Sequence, residues 1–152
     1  MAGFGLSRPM RVFTIGYEQS LVADLIAALE AAGVERVVDV RAVAASRRPG
    51  FSKTALAGAL QEAGIAYEHL RALGTPKEGR DAAKKGDRVT LERVYAGQLE
   101  LPEAQAAAAL LLDRAAAQPT ALLCYERAPA DCHRSMLLTA IAPDAEVIDL
   151  FA

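Results

Sequence analysis

Short β-rich apolar runs alternate along this chain with longer segments whose apolar residues recur every three or four positions. Residues 11–15 (R-V-F-T-I) read as a first strand that stops at Gly16. Ser20 is placed to cap a helix whose Leu21, Leu25, Ile26 and Leu29 share one face and which Gly33 closes. A second strand, 35–40 (E-R-V-V-D-V), ends at Arg41 and gives way to a loop with three arginines and a Pro-Gly turn. Ser52 then caps a helix over 53–63, and residues 65–70 (I-A-Y-E-H-L) make the third strand.

Residues 74–87 break the rhythm. This stretch (G-T-P-K-E-G-R-D-A-A-K-K-G-D) is polar, charged and punctuated by three glycines, so the expectation is a long loop of the kind that serves as a functional lid or an insertion. Helices follow over 89–99 and 103–117, the second announced by Pro102 and rich in Ala and Leu. The apolar run 121–123 is the fourth strand and ends in Cys124, Tyr125 and Glu126. A turn through Pro129, a helix from about 132 to 141 and a last strand at 146–150 complete the chain. The order β-α-β-α-β-α-α-β-α-β predicts an α/β sandwich with a mostly parallel sheet. Near-continuous apolar strands such as V-V-D-V and A-L-L-C fit a sheet covered on both faces.

Composition narrows the picture. A chain of 152 residues fits one domain, here 11–152, preceded by a loose tail over 1–10 where Gly, Ser and Pro crowd. With 53% apolar but only 5% aromatic residues, the core is built mostly of Ala, Leu and Val. The net charge of −2 argues against coating nucleic acid by bulk charge and leaves room for a local basic patch. The longest apolar stretch, 106–112, is far short of the ~18 residues of a span, so no membrane partner is expected. No export signal is read at the amino terminus, which makes the cytoplasm the expected compartment and free thiols the expected state of both cysteines.

In open parallel sheets ligands bind beyond the carboxyl ends of the strands. Strand one delivers Tyr17 and Glu18 there; strand two delivers Asp39 and Arg41, with Ser46, Arg47 and Arg48 downstream. Strand three adds His69 and Arg71, and strand four adds Cys124, Tyr125, Glu126, Cys132, His133 and Arg134. Both histidines and both cysteines thus gather on one edge. Ordinary structural roles exist for several of them: Asp39 as a partner for Arg41, Cys124 as a small buried apolar group, Tyr17 and Tyr125 as core rings, Arg47 and Arg48 as solvated charges. Cys132-His133-Arg134 is harder to explain that way, because a helix start disfavours cations. An anion is the natural guest, held by unpaired N–H groups and by the fork of Arg134, with Arg41, Arg47, Arg48 and Arg71 able to line the same cleft. A phosphate-containing small molecule or a nucleic-acid end fits that description.

Several named mechanisms do not fit. A Cys-x5-Arg cradle places Arg six residues after Cys, whereas Arg134 lies ten after Cys124 and Ala130 holds the sixth position. Cys-x7-Cys-His lacks paired knuckles, and neighbouring Cys132 and His133 are expected to point apart, so no metal is expected. No Gly-rich dinucleotide fingerprint or P-loop lysine motif is present, and no cofactor is expected.

The ordered series T-I-G-Y-E (14–18), D-V-R (39–41), S-R (46–47), G-F-S (50–52), A-Y-E-H-L (66–70), C-Y-E (124–126) and C-H-R (132–134) resembles the bacterial and archaeal family called domain of unknown function 488. The resemblance implies a Rossmann-like, three-layer α/β domain and carries no settled activity. One departure is Ala44, where the family commonly has the stiffening proline.

Three readings stay open on sequence. One is an enzyme in which Arg41, Arg47 and Arg134 hold an anion, Glu126 and His133 move protons, and Cys132 or Cys124 is the nucleophile, with His69 as an alternative base for Cys124. The second is a non-catalytic nucleotide or nucleic-acid binding module, and the third a cysteine-based redox or metal-linked protein.

Overall fold

The computed structural model describes residues 10–128 and 132–152. The tail expected over 1–10, apart from Met10, and the turn expected through Pro129 lie outside the described residues. Five strands, β1 (Arg11–Gly16), β2 (Arg36–Asp39), β3 (Ala66–His69), β4 (Thr120–Cys124) and β5 (Glu146–Phe151), lie side by side in the order β3-β2-β4-β1-β5. Every pairing is parallel. The α/β class and the parallel sheet expected from the hydrophobic pattern are therefore what the chain builds.

Parallel neighbours must be joined by crossovers, and the helices that make them cover both faces. On one face α1 (Val22–Ala31) and α2 (Lys53–Glu62) bring Leu25, Leu29, Leu56 and Leu60 onto Phe13, Ile15, Val37, Ala121 and Leu123. On the other, α4 (Arg88–Leu99), α5 (Pro102–Ala117) and α6 (His133–Ile141) bring Tyr95, Leu111, Leu137 and Leu138 onto Val12, Val38, Val40 and Leu122. Alternate residues of β2 and β4 serve opposite clusters, the period-two geometry of a strand with no polar face. No helix among the described residues is long and apolar enough to cross a membrane.

Strands β1 and β4 are neighbours, yet the chain leaves them toward opposite faces, through α1 and through α6. A crevice must open where outgoing connections part in this way, and ligands of open α/β sheets bind there.

Two local expectations are corrected. Residues 74–87 are not a loop: after a 3₁₀ turn (Arg71–Leu73) they form α3 (Lys77–Lys84), with Pro76 at its N-cap, a Lys77–Asp81 ion pair of 2.9 Å across one turn, and Gly86 at φ +74 beyond its end. Gly79 concealed this helix, since glycine weakens a helix by about 1 kcal/mol. A Cβ there would run into Thr75 and approach Val94 Cγ1 to 3.3 Å, so its absence is what lets α3 lie against α4. The second correction concerns caps. Helix α1 starts after Leu21 without a side-chain cap, and Ser20 Oγ faces the Glu18 carbonyl instead. Ser52 does hold the N-cap position of α2, but its hydroxyl accepts from the Ser46 N–H at 3.0 Å and donates to the Ser46 carbonyl at 3.1 Å.

Gly16 ends β1 where the backbone after β4 crosses it, and a Cβ at this position would overlap the Glu126 carbonyl group. Gly16→Ala is therefore expected to lose at least ~1–3 kcal/mol of stability in urea denaturation. Gly58→Ala, on the exposed side of α2 with nothing near its Cβ, is expected to gain up to ~1 kcal/mol in the same experiment.

Candidate functional site

A hollow of about 670 Å³ opens beyond the carboxyl ends of β1 and β4. Tyr17 and Glu18 line it from β1, Arg41 from the end of β2, Cys124, Tyr125 and Glu126 from β4, and Cys132 and His133 from the start of α6. Its other wall is α3 and the start of α4, which contribute Arg80, Lys84, Arg88 and Leu91. Residues distant in sequence thus meet in one place. Four basic side chains face two acidic ones in this lining, within a chain whose net charge is −2.

At the floor, Cys124, Cys132 and His133 are all buried and in mutual contact. The Cys132 thiol donates to Cys124 Sγ at 2.6 Å, and His133 Nδ1 lies 3.7 Å from Cys124 Sγ and 3.6 Å from Cys132 Sγ. Both cysteines are free. The other ring nitrogen of His133, Nε2, donates to the Val40 carbonyl at 2.8 Å, because a carbonyl can only accept. That bond turns Nδ1 toward the sulfurs. The ring edge also packs on Tyr95, 5.0 Å between centroids, whose hydroxyl donates to the Leu73 carbonyl. Cys132 sits at the N-cap of α6 and His133 opens the helix, so their side chains converge here instead of pointing apart as expected.

Electrostatics divides the pair. Burial alone would push the Cys124 thiol up, but the Cys132 thiol donating to it and the facing His133 ring hold it well below the usual thiol range. Burial and the loan of its proton to Cys124 push Cys132 well above that range. Burial works against charge on His133, yet Cys124 raises its pKa above the ordinary value. Cys124 is therefore the more acidic of the two thiols, and His133 Nδ1 faces it. Glu126 Oε2 lies 3.3 Å from Cys124 Sγ, and burial followed by the neighbouring Cys124 sulfur pushes its carboxyl up to about 7.

A second polar group supports the opposite wall. Asp39 is 0% exposed and takes Arg41 Nε at 2.9 Å and Nη2 at 2.6 Å, while Tyr67 donates its hydroxyl at 2.6 Å. Arg41 Nη1 donates in addition to the Phe51 carbonyl at 2.7 Å and to Tyr17 Oη at 3.2 Å. Burial disfavours the Arg41 cation, but Asp39 and Tyr17 outweigh it and hold its pKa above the ordinary value. Arg41 thus reaches the cleft already committed to partners. Above it, Tyr17 stacks on Phe51 at 4.5 Å and meets Tyr125 edge-on at 5.4 Å, leaving the Tyr125 ring 44% exposed at the cleft mouth.

Other residues singled out by sequence sit elsewhere. Asp39 lies beneath the cleft lining, and Ser46 holds the loop before α2 through Ser52. Arg47 is exposed outside the lining, and so is Arg71. Arg48 is tied to the Ser20 carbonyl. His69 Nε2 bonds the Arg41 carbonyl at 2.7 Å and does not reach the sulfurs' hollow, so His133 is the histidine that faces Cys124. Arg134, 0% exposed, does not line the cleft: Nη2 donates to the carbonyls of Glu126 at 2.8 Å and Arg127 at 3.4 Å, pinning the β4 loop to α6. Arg80 and Lys84, which also line the cleft, were not among the residues singled out by sequence. The length and charge of 74–87 was the available signal.

The chain is an α/β protein with an all-parallel sheet, a crevice between β1 and β4, and a Cys-Cys-His cluster at its floor. It belongs to the family of the domain of unknown function DUF488, whose match covers residues 22–141 and so includes every cleft residue except Tyr17 and Glu18. Neither a curated protein nor a solved structure matches the chain.

Removing one partner of a buried ion pair leaves the other charge stranded. Asp39→Ala is accordingly expected to cost ~3–5 kcal/mol in chemical denaturation, while Arg47→Ala, on the exposed loop, stays within about 0.5 kcal/mol of the parent.

Proposed function

We propose that this protein is an enzyme that binds a phosphate-bearing ligand, a nucleotide or a nucleic-acid end, in the cleft and transforms it at the Cys124–Glu126–Cys132–His133 floor. One observation carries the reading: the cationic wall and the reactive cluster line the same hollow. Arg80 is held in place by donating to the Thr75 carbonyl at 2.8 Å, and Lys84 stands exposed one turn further along α3. An anion between them would leave its reacting end toward Glu126, the carboxyl nearest the sulfurs. The exposed Tyr125 ring offers a flat apolar surface beside the charges, which suits a nucleobase better than a bare phosphate.

Calorimetric titration with inorganic phosphate and with a nucleoside 5′-monophosphate tests the binding half. Both are expected to bind, the nucleotide more tightly. Arg80→Ala or Lys84→Ala is expected to weaken each by roughly tenfold, the scale of one charged hydrogen bond. Hydrolysis of an aryl phosphodiester reporter tests the catalytic half: Glu126→Gln is expected to abolish turnover while phosphate still binds. Absence of phosphate binding at millimolar concentration overturns the anion cleft. Binding without turnover in the parent overturns the enzyme and leaves a binding module.

A further inference from the structure

The floor of the cleft has a donor chemistry that anion binding does not require. Two sulfurs and one imidazole nitrogen, from the end of β4 and the start of α6, all lie within 4.8 Å of one another, buried on the protein side and open on the cleft side. A thiolate nucleophile needs one cysteine and one base; a second thiol in contact with both has no part in that scheme.

We infer that Cys124 Sγ, Cys132 Sγ and His133 Nδ1 form a binding site for a divalent, thiophilic transition-metal ion of the zinc class, with its fourth position open to the cleft. Zinc takes sulfur at ~2.3 Å and nitrogen at ~2.0–2.1 Å in tetrahedral array, which places ligand sulfur and nitrogen roughly 3.6 Å apart. The two sulfur–nitrogen separations here are 3.6 and 3.7 Å. The same geometry sets two ligand sulfurs roughly 3.8 Å apart. The sulfurs, now 2.6 Å apart, therefore have to open by about 1 Å, a small side-chain rotation in two unbridged cysteines.

The surroundings of the histidine point the same way. A metal-bound histidine characteristically donates its remote N–H to a carbonyl or carboxylate, which fixes the tautomer and aims the lone pair. His133 does this through Nε2 to the Val40 carbonyl, so the nitrogen facing the sulfurs is the one free to ligate. Soft sulfur donors with one imidazole favour zinc over magnesium or calcium, which prefer oxygen. Three protein ligands with an open position is the pattern of a zinc ion that holds and acidifies water. Glu126, beside Cys124, borders that position without being counted as a ligand.

The inference rests on the cleft being the reaction centre, and it turns the two thiols from nucleophiles into ligands. Its test is independent of any substrate. Protein purified under reducing conditions, stripped with chelator and dialysed against Zn²⁺, is expected to retain one zinc per chain by elemental analysis, with a higher Tm that chelator reverses. Cobalt loading is expected to give a thiolate-to-metal charge-transfer band. Cys132→Ser and His133→Ala are expected to lose that band and the zinc-dependent Tm shift, whereas Glu126→Gln keeps one metal. Zinc at well under one per chain in the parent, or thiols that react equally fast with and without zinc, overturns the site. A Cys124–Cys132 disulfide in the stripped, reduced protein also overturns it, and metal loss in Glu126→Gln overturns the open fourth position. Phosphate binding at Arg80 and Lys84 is read separately on the stripped protein, so failure of the metal site and failure of the anion cleft give different results.

Discussion

The backbone leaving β4 lies directly on Gly16, with no side chain between the two strands, and the geometry of the site follows from that contact. The Tyr17 N–H donates to the Cys124 carbonyl and the Glu18 N–H to the Tyr125 carbonyl, which extends the β1–β4 ladder past the formal strand ends. Glu18 then accepts from the Arg127 N–H at 3.0 Å, and Arg134 takes the next two carbonyls from the α6 side. With its carbonyls taken from β1 on one side and from Arg134 on the other, the segment 124–127 is fixed across the sheet edge. Cys124 faces the α6 layer, Tyr125 turns toward Tyr17, and Glu126 comes back beside the sulfur. A methyl group at position 16 would collide with the Glu126–Arg127 backbone.

The end of β2 does comparable service with its carbonyls. Val40 accepts from His133 and Arg41 accepts from His69, so both histidines of the chain are oriented by consecutive peptide groups. Asp39 holds those peptides in place: its carboxylate takes the Arg41 N–H at 3.1 Å as well as the guanidinium. Buried ion pairs add little net stability against an apolar alternative, because desolvating two charges cancels most of their attraction. What this pair contributes is a unique position for Arg41, which also reaches the Phe51 carbonyl and so fixes the far end of the loop before α2.

Much of this was legible in the chain. Strands announced by V-V-D-V and A-L-L-C are buried on both faces as such runs require, and T-I-G-Y-E, D-V-R, C-Y-E and C-H-R all arrive at the predicted edge. Side-chain direction was not legible. Nothing in C-H-R says that Arg134 turns inward to the loop carbonyls while Cys132 and His133 turn to the cleft; that depends on where Gly16 places those carbonyls. Helix α3 was hidden for a related reason. Gly79 weakens the local preference for helix, and the compensation comes from packing on α4, ten or more residues on, whose Val94 and Leu91 come within contact distance of the glycine's bare face. His69 and Arg47 sit at the right edge but over β3 and the outer loop, a lateral displacement that only strand order reveals.

Helix α3 also explains how an acidic chain can present a positive hollow. Charges in water cease to feel one another beyond a Debye length of about 8 Å, so the net charge of the molecule matters less than what lines the cavity. The acidic residues Asp81 and Glu78 of α3 pair with Lys77 and Arg93, on the exposed side. Arg80 and Lys84, four residues apart and hence on one face, turn to the cleft. Across from them, at the sheet edge, the Arg41 cation is already compensated by buried Asp39. On the function proposed above, the division of labour is spatial, with capture falling to a short polar helix and chemistry to the ends of β4 and α6.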